Sequence, residues 1–171
     1  MNIGYKLLAH HYPCLEAMEW LGDRDAETAW RECERADWML WAVAKVGVDR
    51  KIVVTAACAC ARTALRFVPD GEHRPLSTIE TTEAWVRGNT TTEDVRAAAG
   101  AAAYAAAGAA GAAADAAAYA AGAADAAADA AAYAVARTSS LREMADIVRK
   151  TIPWEVVQLV ITATQGEVLV L

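Results

Sequence analysis

His10, His11 and Cys14 form the tightest group of metal-ligating side chains in this chain of 171 residues. Zinc needs four such ligands at compatible spacing. Pro13 spoils helical i, i+4 geometry between His10 and Cys14, and no second pair of matching spacing follows. Nucleophilic catalysis would need a base placed against Ser or Cys. Ser77, Ser139 and Ser140 stand instead at helix starts, where capping accounts for them. Glu32/Glu34 and Glu80/Glu83 are carboxylate pairs of the kind found on any solvated helix face. No Gly-rich phosphate loop, H-E-x-x-H or G-x-S-x-G occurs. The expectation is a chain that is not an enzyme and holds no cofactor and no metal.

Aromatic residues offer a different chemistry, that of binding. Trp and Arg dominate the energetics of protein interfaces. Trp30, Trp38 and Trp41 share one face if they lie on one continuous helix, with Glu34 between the first two. Polar neighbours make Trp30–Arg31 and Asp37–Trp38 the places where a Trp is expected to be exposed. The candidate binding residues on this helix are Trp30, Arg31, Glu34, Asp37 and Trp38. Arg24, Arg31, Arg35 and Arg62 could pair with phosphates if aromatic rings stack a base.

The elements that would position these residues are helical throughout. Residues 14–21 read as a short helix started by Pro13 and ended by Gly22. A longer helix is expected from Ala26 to Val46, with Asp37 a point where it could break, and Gly47 closes it. Asp49 opens a third helix over 50–68, stopped by Pro69–Asp70–Gly71. Pro75 suits the first turn of a fourth, Ser77 to Arg87, ending at Gly88. Thr91 with Asp94 has capping-box spacing for the next. Thr138–Thr151 and Trp154–Ile161 are two more, and the tail from Glu167 is expected to be extended or a short strand. With no strand–helix alternation, the fold class is all-α: a helical bundle with a long Ala-rich helix or helical hairpin.

That Ala-rich tract is patterned. Of 44 alanines, 29 lie between Ala97 and Ala136, which inflates the hydrophobic fraction with a residue that buries little area. Between Ala97 and Ala134 the other residues are Gly, Tyr and Asp, spaced three or four apart, so they fall on one stripe of a helix. Tyr104, Asp115 and Tyr119 are its binding candidates; the plainer alternative is a solvated edge. Gly108, Gly111 and Gly122 are places where it could fold back. The tract divides the chain into a helical core (1–96), the tract (97–137), helices returning to the core (138–161) and a tail (162–171).

A net charge of −6 argues against nucleic acid and anionic membranes as partners. No run is apolar enough for a signal peptide or a span. Cys14, Cys33, Cys58 and Cys60 lack a disulfide framework, and Cys58 and Cys60 point to different faces of a helix. Reduced thiols and a cytoplasmic location are expected.

Residues 16–21 (EAMEWL), 29–41 (AWRECERADWMLW), 79–85 (IETTEAW), 145–150 (ADIVRK) and 152–155 (IPWE) are similar to the family described as putative immunity proteins. These are small all-helical proteins of bacteria and phage genomes, with a biased Ala/Tyr/Asp insert. The resemblance implies neutralisation by binding: a protein toxin or defence component is held and blocked. The alternative from another class is a phage counter-defence protein sequestering a small nucleotide-derived immune signal. An Ala face buries little against a bulky neighbour but packs closely on itself, so a homodimer is expected.

Overall fold

The computed structural model describes residues 8, 11–68, 70–99 and 140–168. Every regular element among them is a helix, and the fold is all-α. Residues 100–139 lie outside the described part. So do the choice between long helix and hairpin, the residues Tyr104, Asp115 and Tyr119, and the tract that suggested a dimer.

The chain divides into two units, Met1–Cys60 with Leu141–Leu171, and Ala61–Ser140. The first unit opens with α1 (Leu15–Leu21), which ends at Gly22. Gly22 has φ +47°, a conformation costly for a residue with a Cβ. Asp25 then caps α2 (Ala26–Glu32): its carboxylate accepts from the Thr28 N–H at 2.9 Å and from the Thr28 hydroxyl at 2.7 Å. These bonds lower the Asp25 pKa below the usual range. α3 (Ala36–Val46) closes at Gly47 in the left-handed region, φ +96°. Asp49 then accepts from the N–H groups of Lys51 and Ile52 and opens α4 (Arg50–Ala64).

The single helix expected from Ala26 to Val46 is therefore two. Cys33 and Arg35 are extended, and α3 starts at Ala36, just ahead of the break suggested at Asp37. No Gly or Pro marks this break. At the break the chain meets a helix over residues 140–151 (numbered α7, after α5 and α6 of the second unit). The Arg149 guanidinium donates to the carbonyl oxygens of Cys33 at 2.7 Å and Trp30 at 3.3 Å, and to Met39 Sδ at 3.8 Å. The last carbonyls of a helix lack internal donors and carry partial negative charge. Arg149 meets both needs at Trp30 and Cys33. Arg142 of α7 adds an ion pair to Glu34 at 2.7 Å.

The core of this unit follows from two matching stripes. Ala36, Met39 and Val43 on α3 and Ala145, Val148 and Ile152 around the end of α7 recur at i, i+3, i+7, and all six are buried. Trp30, Cys33, Val48, Ala56, Cys60 and Val157 complete it. The last helix, α8 (Trp154–Val168), follows Pro153 and runs past the expected end at Ile161. Glu167 and Val168 are helical where an extended tail was expected. The run after Ile161 contains no proline, and the Thr162 hydroxyl returns to the Gln158 carbonyl, so nothing interrupts the ladder.

In the second unit a 3₁₀ turn, Leu65–Phe67, follows α4. α5 (Arg74–Val86) takes Pro75 in its first turn and gives way to Gly88, φ +81°. α6 covers residues 92–99. The expected capping box is present: the Asp94 N–H donates to Thr91 Oγ1 at 3.2 Å, and the Thr91 N–H donates to Asp94 Oδ2 at 2.9 Å. The Thr78 hydroxyl donates to the Ala98 carbonyl, and Thr90 to that of Thr81.

Candidate functional site

The first unit contains a cavity of about 110 Å³ built by four helices. Five of the six tryptophans line it: Trp20 from α1, Trp30 from α2, Trp38 and Trp41 from α3, and Trp154 from α8. Ala29 and Ala42 supply the space, because neither side chain extends beyond its methyl. The one titratable lining group is the Cys33 thiol. It donates to the Arg35 carbonyl at 3.5 Å, and burial raises its pKa, so it stays protonated at neutral pH. With no base, acid or cation in its walls, the cavity is suited to holding apolar matter.

Beside it stands a stack of four side chains. The Trp20 and Trp38 rings are 6.0 Å apart, tilted at 55°. The Arg24 guanidinium lies 4.8 Å from the Trp20 ring centre, and that of Arg35 lies 4.3 Å from Trp38. Each cation is held by carboxylates. Arg24 pairs with Glu32 at 3.2 Å and donates to the Trp20 carbonyl. Arg35 makes a two-point pair with Asp37, at 2.9 and 2.7 Å, and reaches Glu16 at 3.2 Å. Arg35 hydrogen bonding holds the Asp37 carboxyl below its usual pKa, and Asp37 raises that of Arg35.

Between Cys14 and Asp37 there are eight carboxylates and three arginines, a local charge of −5 within a total of −6. The acidity noted for the whole chain is thus concentrated on α1, α2 and the start of α3, three of the elements that build the cavity.

Of the residues expected from the sequence, Trp30 and Trp38 meet at this cavity. Trp30 is not exposed: it is 8% accessible and belongs to the core cluster. Trp38 is half-buried. Arg31, Glu34 and Asp37 are exposed and do not line the cavity; Arg31 pairs with Glu27 at 2.6 Å on α2 itself. Trp20, Trp41, Trp154 and Arg149 were not singled out from the sequence as site residues. All four do lie within the segments that carry the family resemblance.

A phosphate-binding set fails on both counts. Arg24, Arg31, Arg35 and Arg62 are each paired with a carboxylate, and none lines the cavity. At about 110 Å³ the cavity is also well below the roughly 300–1,000 Å³ of small-molecule sites. Among the described residues no group of His, Cys, Asp and Glu is arranged to hold a metal ion. No helix among them is long and apolar enough to cross a membrane. The four cysteines are free thiols; Cys14 is exposed and the other three are buried.

A family model described as Imm-5 like putative immunity protein matches residues 47–146, more than half of the chain. The matched span includes the 79–85 segment and the alanine tract, but stops short of residues 16–21 and 29–41. Every residue lining the cavity falls outside it. No curated protein and no solved structure matches the chain.

Proposed function

This chain belongs to the Imm-5 like putative immunity protein family, and from that premise we propose that it neutralises a protein partner by binding it in the cytoplasm. It does so without chemistry of its own. The observation that carries this reading is the convergence of five tryptophans on one apolar cavity within an acidic region. Aromatic anchors supply interface energy through burial, and surface charge sets which partners approach. The free thiols fit a reducing compartment. A second copy of the chain, packed through the alanine tract, belongs to the same proposal, and a monomer mass by light scattering removes it.

The test is co-expression with the product of a flanking gene that arrests growth on its own. The wild-type chain is expected to restore growth only at equimolar or higher levels, as a stoichiometric blocker must. Trp38→Ala is expected to weaken partner binding at least about tenfold, the scale of a truncated interface hot spot. Protection at substoichiometric levels would mean turnover and would sink the binding mechanism.

A further inference from the structure

We propose that the tryptophan cavity is a socket for one bulky apolar side chain, presented by a basic segment of a partner protein. The proposal rests on the immunity-type reading for its biological setting. Both draw on the same cavity, but the test here needs no toxin.

Size comes first. A cavity of about 150 Å³ lined by apolar side chains accepts benzene. This one, at about 110 Å³, is smaller but open on one side, so it can take one apolar side chain without enclosing all of it. Its walls are rigid indoles that already pack on a close-packed core through Trp30, Met39, Val43 and Val157. An apolar group that enters there leaves water without costing the protein a hydrogen bond.

Charge selects what carries that side chain. The two cations beside the cavity, Arg24 and Arg35, are spent on Glu32, Asp37 and Glu16. What remains around α1 and α2 is the excess of carboxylates, including the exposed Glu19 between the lining residues Met18 and Trp20. Lysines or arginines flanking the inserted side chain meet a favourable field, whereas an acidic protein or an anionic bilayer is repelled. Tyr12 and Leu15, 94% and 74% exposed, flank the lining residue Pro13 and offer apolar surface next to the socket.

The experiment uses the full-length chain and three synthetic peptides, followed by tryptophan fluorescence. One is lysine-rich with a single phenylalanine, one has alanine in its place, and one replaces the lysines with glutamates. The phenylalanine peptide is expected to bind about tenfold or more tightly than the alanine peptide, as burial of one large apolar side chain provides. Its affinity is expected to fall several-fold between about 10 mM and about 150 mM ionic strength, as the Debye length shortens. Ala42→Leu fills the socket while keeping every tryptophan and is expected to remove the phenylalanine advantage. Glu19→Lys is expected to remove part of the salt dependence.

Equal binding of the phenylalanine and alanine peptides overturns the socket, and so does an unchanged preference in Ala42→Leu with native helicity. Equal binding of the glutamate peptide overturns the basic partner. A dimer that dissociates on Ala42→Leu shows that a second copy fills the cavity, and binding to anionic vesicles in preference to peptide shows a membrane surface; either result overturns the proposal. No toxin enters these measurements, so their failure leaves the immunity-type reading standing. A failure to protect cells leaves the socket standing.

Discussion

The two units of this chain are held together by different forces. In the first, Val43, Val148 and Ile152 are at most 1% accessible, and twelve buried residues form one continuous cluster. In the second, Ile79 is the one buried side chain among the described residues. Its helices are joined instead by hydroxyl-to-carbonyl bonds from Thr78 and Thr90, and by the two-point pair of Arg62 with Glu83, at 2.8 Å for each bond. Packing resists salt and pH but is sensitive to lost volume; exposed polar pairs have the opposite sensitivities. A cavity whose shape matters is better built in the first environment, and it is found there.

Truncating the core should give the largest effect. Ile152→Ala is expected to cost about 2–5 kcal/mol in denaturant unfolding, because the site is fully enclosed. Ile79→Ala, at 7% accessibility, is expected to fall near the lower end of that range. Equal costs at the two sites would break the contrast between the units.

Arg149 sharpens it. Replacing Arg149 by Met keeps much of the side-chain volume and removes the donors that serve the Cys33 and Trp30 carbonyls. A hydrogen bond to a charged group is worth roughly 1.5–3 kcal/mol, and a loss of that order is expected. Arg149→Lys should recover part of it through charge alone. If Arg149→Met melts like the wild type and leaves tryptophan fluorescence unchanged, Arg149 does not support the break between α2 and α3.

The smallest effect is a pH dependence in the second unit. Arg62 hydrogen bonding holds Glu83 below its ordinary value of 4.5. A carboxylate lowered in the folded state gives stability that is present above its unfolded pKa and lost as pH falls through the folded value. Amide exchange in the last turns of α5 is therefore expected to quicken as pH drops below 4.5, after correction for intrinsic rates, and Glu83→Gln should reduce that change, the rest coming from Glu72, which Arg74 at the start of α5 holds down to about 2. Both partners are partly exposed, so the size is under about 1 kcal/mol. Asp37 titrates in a nearby window in the first unit, which is why the readout must be local to α5.

These contrasts also explain what could be read from the sequence. Helix ends marked by Gly22, Gly47, Gly88, Asp49 and the Thr91/Asp94 pair were legible, because each is set by residues within one turn. The break between α2 and α3 was legible only as an option at Asp37; the donor that meets the carbonyls at its actual place lies 116 positions away on α7. Polar neighbours suggested an exposed Trp30, and packing buries it. Trp30 and Trp38 were recognised as binding candidates from residue type and neighbours. Spacing on one helix already set Trp41 beside Trp38, whereas Trp20 and Trp154 join them only once other helices have packed, and no local spacing encodes that convergence.

The Trp20–Trp38 pair has an optical consequence. Two indoles with ring centres 6.0 Å apart and tilted at 55° are close enough for their electronic transitions to couple. Coupled, non-parallel chromophores give a pair of circular dichroism bands of opposite sign that neither ring produces alone. Trp20→Phe and Trp38→Phe should each erase the same feature, while Trp85→Phe, in the other unit, should leave it intact. The protein thus carries an unlabelled spectroscopic gauge at the wall of its cavity, and any occupant that shifts either ring by a fraction of an ångström would register in it.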